Sequence, residues 1–341
     1  MEWVAEYLLF LAEAITLLIV VAAGLGAVAA FARKSRTPEQ GRLEVYSVNE
    51  RVRELGETLD LALAPPSERK GVKRVQRRAR KQPALEGSER RRIFVLDFQG
   101  DLRASEVDPL REEITAALAR ARPGDEIVVR LESAGGMVHS YGLAASQLDR
   151  IAKAGIHLTV CIDKVAASGG YMMACVANRI LAAPFAVLGS IGVVAQIPNI
   201  HRLLKRHDID IELLTAGKYK RTLTVLGENA AEGREKFQRD LEATHQLFKE
   251  HVAAHRPQLD IETIATGEIW FGTQALGLGL VDQLATSDEY LTAQLSEADI
   301  YKLAYVTGRT FLQRLGIALE ARIVHRLRAW WDGAREPRLP V

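Results

Sequence analysis

The chain opens on an apolar run and then turns to alternating patterns. Residues 7–31, YLLFLAEAITLLIVVAAGLGAVAAF, carry one charge, Glu13. As a helix at about 1.5 Å per residue this run would measure about 37 Å, more than a hydrocarbon core of about 30 Å. No polar face recurs at helical period, which argues against a core helix. Glu2 and Glu6 stand where a cleaved signal peptide needs basic residues, and RKSR follows as a stop-transfer flank. Residues 1–36 are therefore expected to form a retained transmembrane anchor.

Beyond the anchor, Val48, Val52, Leu55, Leu59 and Leu63 fall at helical spacing. Pro65 and Pro66 end that amphipathic helix. From residue 91 short apolar strands alternate with helices. Strands are predicted at 93–98, 126–133, 156–163, 179–184, 192–196 and 210–215. Helices are predicted at 105–121, 138–155, after residue 168, and at 229–255. This order argues for an α/β domain with mostly parallel pairing. The tail at 311–331 has apolar and Arg-rich faces, suited to a membrane surface or to packing on another helix. The divisions read from the pattern are an anchor at 1–36, an amphipathic and basic linker at 37–90, the α/β domain at 91–290, and an amphipathic helical tail at 291–341.

Composition changes this picture little. The 341 residues are 48% hydrophobic and 26% charged, with a net charge of +2, so the bulk of the chain folds around a core and no polyanion partner is implied. The run RKGVKRVQRRARK at 69–81 reads as a solvated linker; beside an anchor it would attract anionic headgroups. No aromatic residues are interleaved in it, so nucleic acid is not the expected partner. The two cysteines, Cys161 and Cys175, exclude a disulfide framework and a four-cysteine metal site, and both read as buried thiols.

Chemistry concentrates around AASGGYMMA at 166–174. Ser168 stands between a buried strand and a helix start, where free N–H groups favour a developing anion. Gly169 and Gly170 let a carbonyl approach the backbone. A serine there is also an ordinary helix cap. The second glycine pair, Gly135–Gly136 in LESAGGMV, falls at the end of another strand. One of its amides and that of Gly169 could form an oxyanion hole. A base is needed, and among the eight histidines His139 is the best placed. Lys164, Lys218 and Lys220 are the lysine candidates.

Five segments occur in the order found in the signal peptide peptidase A and SohB family of serine peptidases. They are ESAGG, ASGGYMMA, GSIGV (189–193), GKYKR (217–221) and GEIWFGTQALGLGLVDQL (267–284). The resemblance covers residues 90–290, and the anchor and single unit look most like the SohB-like members. It implies a Clp/crotonase-like β-β-α superhelix. It also implies a Ser–Lys dyad, with Ser168 as nucleophile, Lys220 as base and Ser190 as the serine that hydrogen-bonds the lysine. Gly135 matches the glycine loop of the oxyanion hole, with Gly169 as the second donor. The choice of Lys220 over Lys218 rests on the resemblance. The chain has ESAGG where many relatives have NSPGG, which loosens the loop and keeps the glycines.

The expected function is a membrane-anchored serine endopeptidase acting by that dyad on signal-peptide remnants or on membrane and exported proteins. The alternatives are a crotonase-like acyl-CoA enzyme and a non-catalytic membrane scaffold. No cofactor or metal is expected. Peptide substrates, lipid around residues 7–31 and further copies of the chain are the expected partners. The expected location is the inner membrane. The flank charges Arg33, Lys34 and Arg36 put the domain in the cytoplasm, whereas the family favours the outer side.

Overall fold

The computed structural model describes residues 41–81 and 90–306. The elements run β1 (Arg42–Ser47), α1 (Val48–Leu63), α2 (Arg69–Lys81), β2 (Arg91–Gly100), α3 (Val107–Leu118), β3 (Glu126–Ser133), α4 (Val138–Lys153), β4 (His157–Ile162), β5 (Val165–Ala167) and α5 (Gly169–Ala174). They continue with β6 (Arg179–Ala182), β7 (Val187–Gly189), α6 (His201–Arg206), α7 (Ala231–His255), α8 (Ile261–Ile264), β8 (Ile269–Phe271), α9 (Gly272–Gly277), β9 (Gln283–Leu284), α10 (Ser287–Gln294) and β10 (Ala298–Val306).

The sheet follows the order β1-β10-β2-β3-β4-β6-β9. Its centre is parallel. β2 lies on β3 with Val95 opposite Val128, and β3 lies on β4 with Val128 opposite Thr159. Alternation along β2 explains the burial of both faces. Phe94, Leu96 and Phe98 join the large core beneath α3, α4 and α5, whereas Ile93 and Val95 pack with Val128, Cys161, Leu181 and Ile300 on the other side. A parallel sheet covered on both faces needs this near-continuous apolar content.

A smaller group branches from that sheet. β5 pairs β3 through Ser133 and Ala166 and runs parallel to β7, and β7 pairs antiparallel with β8. These three-residue strands carry the site.

Several expectations are corrected. Residues 192–196 and 210–215 are not strands. Val194 is 91% exposed and Leu214 is 90% exposed, so neither segment has a neighbour on which to pair and pack. The basic run 69–81 is helical, forming α2. α1 forms as its spacing predicts, yet Val52, Leu55, Leu59 and Leu63 remain exposed on it. The transmembrane element of the expected fold class is corrected as well, since among the described residues no helix is long and apolar enough to cross a membrane. The expected single-pass anchor, lipid contact and inner-membrane location thus find no spanning helix among the described residues. The run at 7–31 from which they were read, and the tail at 311–331, lie outside the described residues.

Candidate active site

The site is built at the carboxyl ends of three neighbouring parallel strands, where ligands bind in open α/β sheets. β3 ends at Ser133, β5 at Ala167 and β7 at Gly189. The register puts Ser133 beside Ala166 and Ala167 beside Gly189. The residues that follow these strand ends are the glycine loop, Ser168 and Ser190. Strand pairing therefore gathers three stretches that are far apart in sequence.

Ser168 occupies the N-cap position of α5, but its side chain makes no capping hydrogen bond. Its backbone sits at φ 52° and ψ −118°. Few non-glycine residues adopt such a conformation, and holding one there costs about 1–3 kcal/mol. Two backbone bonds impose it: Ser168 N–H donates to Gly189 O at 2.8 Å, and Ser168 O accepts from Met172 N–H at 3.0 Å. The residue is half-buried. Its hydroxyl is thus not engaged in capping the helix.

The glycine loop presses against this turn. Gly135 has φ 90°, and a Cβ placed on it would lie 2.7 Å from Gly169 N and 2.8 Å from Ser168 Cβ. Space beside the serine exists because residue 135 has no side chain. Gly169 is the first residue of α5, so its N–H has no partner inside the helix. The N–H of Gly135 is differently employed, donating to Ser133 Oγ at 3.0 Å.

That bond begins a chain of hydroxyls. Tyr141 donates its O–H to Asp101 O at 2.8 Å. The 2.6 Å contact between Ser133 Oγ and Tyr141 Oη must then be donated by Ser133. Tyr141 is fully buried, and its ring lies where a Cβ on Gly169 would fall, at 2.4 Å from its Cγ. Sequence reasoning quoted Ser133 in its motif and gave Tyr141 no role. The available signal was a tyrosine in the first turns of the helix that the glycine loop opens.

Ser190 lies next to this turn with φ 52°, its N–H donating to Glu268 O at 2.6 Å. Lys220 is not brought to it. Lys220 stands on an exposed segment, and among the described residues no hydrogen bond or ion pair joins it to Ser168 or Ser190. An exposed amine lacks the burial that turns a lysine into a base. The expected Ser–Lys dyad is thus corrected: none is evident among the described residues. Lys218 pairs with Glu232 at 2.6 Å and Lys164 with Glu132 at 3.0 Å. His139 is exposed on the first turn of α4. Neither lysine nor histidine meets Ser168, so the structure joins Ser168, Gly169, Gly135 and Ser190 and leaves the candidate bases apart.

Comparisons with known proteins bear on most of the chain. The model described as "Peptidase family S49 N-terminal" matches residues 2–148, and "Peptidase family S49" matches residues 150–300. The "Probable protease SohB" of Haemophilus influenzae is 46% identical over 335 residues, which is 94% of this chain and 95% of that one. The "Probable protease SohB" of Buchnera aphidicola subsp. Acyrthosiphon pisum is 52% identical over 238 residues, 70% of each chain. Its counterpart in Buchnera aphidicola subsp. Schlechtendalia chinensis is 59% identical over 202 residues, 59% of this chain and 66% of that one.

Proposed function

The chain belongs to peptidase family S49 and is a serine-type hydrolase, and we propose that Ser168 is the nucleophile with which it cleaves peptide bonds. The observation that carries this reading is the backbone of Ser168, held at φ 52° with its hydroxyl uncapped beside a bare glycine.

In this reading Ser168 Oγ attacks the carbonyl carbon of a peptide as its O–H bond breaks and the proton passes to solvent water. The Oγ–C bond forms, and the carbonyl oxygen becomes an oxyanion facing the Gly169 N–H. Preorganised amide donors of this kind are worth about 10²–10³ in kcat. The C–N bond then breaks, the departing amine takes a proton, and water hydrolyses the ester left on Ser168. Gly135 keeps the approach to Gly169 open. The Ser133–Tyr141–Asp101 chain holds that glycine in place through its N–H. Ser190 borders the serine from the adjoining strand end.

The test is labelling with a fluorophosphonate, together with hydrolysis of a fluorogenic peptide. Wild-type chain should take up the probe on Ser168, and Ser168→Ala should lose both labelling and turnover. Labelling at another residue, or full turnover by Ser168→Ala, would reject the assignment.

A further inference from the structure

The end of α5 that is remote from Ser168 carries a cluster unrelated to peptide hydrolysis. We propose that Cys175, His251 and His255 form a binding site for a divalent metal ion of the zinc class. One ligand atom from each residue lies within 4.8 Å of the others. Tetrahedral zinc, with bonds of about 2.0–2.3 Å, holds its ligands about 3.3–3.8 Å apart. A contraction of about 1 Å would close the site around the ion.

The hydrogen bonds orient the two imidazoles as ligands. His251 Nε2 lies 3.0 Å from Met172 O, and His255 Nδ1 lies 2.8 Å from His251 O. A carbonyl only accepts, so both nitrogens carry hydrogen. The lone pair of neutral His251 is therefore on Nδ1, whereas Nε2 of His255 faces Asp149 Oδ1 at 3.6 Å. Donation of the second ring N–H to a backbone carbonyl is the usual support of a metal-bound histidine. The two histidines are four residues apart on α7 and share one face of it. Their rings lie 4.5 Å apart, centroid to centroid.

Cys175 supplies the soft ligand. Its side chain is wholly buried, and its Sγ turns to Met172 O at 3.3 Å, the carbonyl that also receives His251. Burial pushes the thiol well above its usual range, so without metal it stays protonated. Binding replaces that proton: the S–H bond breaks, the S–metal bond forms, and a proton leaves to solvent. Burial also holds His251 below its usual value. Both histidines are half-buried, so an ion can enter from the α7 side. The charged groups around the site are compatible with a cation. Arg256 is held by Asp282 at 2.7 Å and 3.0 Å, and Asp149 lies 3.6 Å from His255 Nε2, with Lys153 as its partner. Three protein ligands leave the fourth position to water. Loaded, the site would pin α7 to the end of the helix that begins next to Ser168.

The full chain, purified, stripped with chelator and reloaded with zinc or cobalt(II), tests this. About one equivalent of zinc should survive gel filtration, and zinc should raise the unfolding midpoint, as a ligand specific to the folded state does. The cobalt form should show a near-ultraviolet thiolate-to-metal band that Cys175→Ser lacks. His255→Gln, a change at a half-buried residue, should bind at least tenfold more weakly while keeping its circular dichroism spectrum. Failure of wild-type chain to retain either metal would overturn the proposal. So would cobalt binding without the thiolate band, or equal retention by His255→Gln.

Discussion

Ser168 and Ser190 are side by side because Ala167 pairs with Gly189 in the parallel register of β5 and β7. Each serine is the first residue after its strand, each has φ 52°, and the N–H of Ser168 is bound to the carbonyl preceding Ser190. One ladder thus fixes two strained backbones at once. Strain at such a position is maintained by the pairing around it, and glycine would be free of it.

Two substitutions at Ser168 should therefore separate activity from stability. Ser168→Ala and Ser168→Gly both remove the hydroxyl and should be inactive towards peptides. Alanine keeps the unfavourable φ, whereas glycine relieves it. Ser168→Gly should be more stable than Ser168→Ala by about 1–3 kcal/mol in urea unfolding. Equal stability of the two variants would mean that the turn is relaxed.

Gly135 makes the second prediction. A methyl group there would lie 2.7 Å from Gly169 N and 2.8 Å from Ala167 O, and neither backbone atom yields easily. The φ of 90° adds to the strain. Gly135→Ala should displace the loop or α5 by a fraction of an ångström and lower kcat/KM on the order of 100-fold. The spectrum of secondary structure should persist, since the loop carries little of the core. Peptide hydrolysis at the wild-type rate would show that the loop has no part in the site.

The strands of the core were legible because their apolar content is nearly continuous, as in IFVLDF and EIVVRLES, and burial on both faces demands that. The Ser-Gly-Gly turn was legible from its small residues. What failed was governed by neighbours distant in sequence. DIELLT at 210–215 has strand-like residues but no ladder, and its Ile211 and Leu213 are exposed. Residues 298–306 fall in the segment expected as a helical tail but form β10, which pairs β2 across some 200 residues, with Ile300 opposite Ile93. The motif order named Lys220, but burial of its amine depends on packing that no motif encodes, and the chain leaves it exposed.

Tyr141 supplies a prediction that the sequence alone did not suggest. Tyr141→Phe keeps the ring against Gly169 and removes the hydroxyl between Ser133 and Asp101. Buried Ser133 loses its acceptor and the carbonyl of exposed Asp101 its donor, at about 1–3 kcal/mol. Ser133 Oγ still accepts the N–H of Gly135 but is no longer anchored by Tyr141. Turnover should fall through kcat more than KM, because the loss concerns the position of the reacting groups and not the peptide's remote contacts. A rise in KM alone would place Tyr141 in substrate binding instead.

Glu113 sets a pH dependence away from the site. It is 6% exposed on α3, its Oε1 accepts Tyr305 N–H at 2.7 Å, and its Oε2 has no partner among the described residues. Burial raises its carboxyl from 4.5 to about 7; the Tyr305 hydrogen bond and Lys302 oppose the rise, and Glu106 and Asp97 add to it. Below pH 4.5 the folded and unfolded chains both hold this proton, so it contributes no difference. From about 4.5 to 7 the unfolded chain releases it first, and stability falls as pH rises. Above 7 the full deficit is present, on the order of 3 kcal/mol. Glu113→Gln keeps an acceptor for Tyr305 and has no proton to lose. Its Nε2, at the unpartnered position, adds a cost that does not vary with pH. The difference in unfolding free energy between variant and wild type should therefore shift by about 3 kcal/mol in the variant's favour between pH 4.5 and pH 8. Denaturant titrations at intervals across that range measure it. Parallel curves for the two proteins would show that Glu113 ionises in the folded chain as it does in the unfolded one.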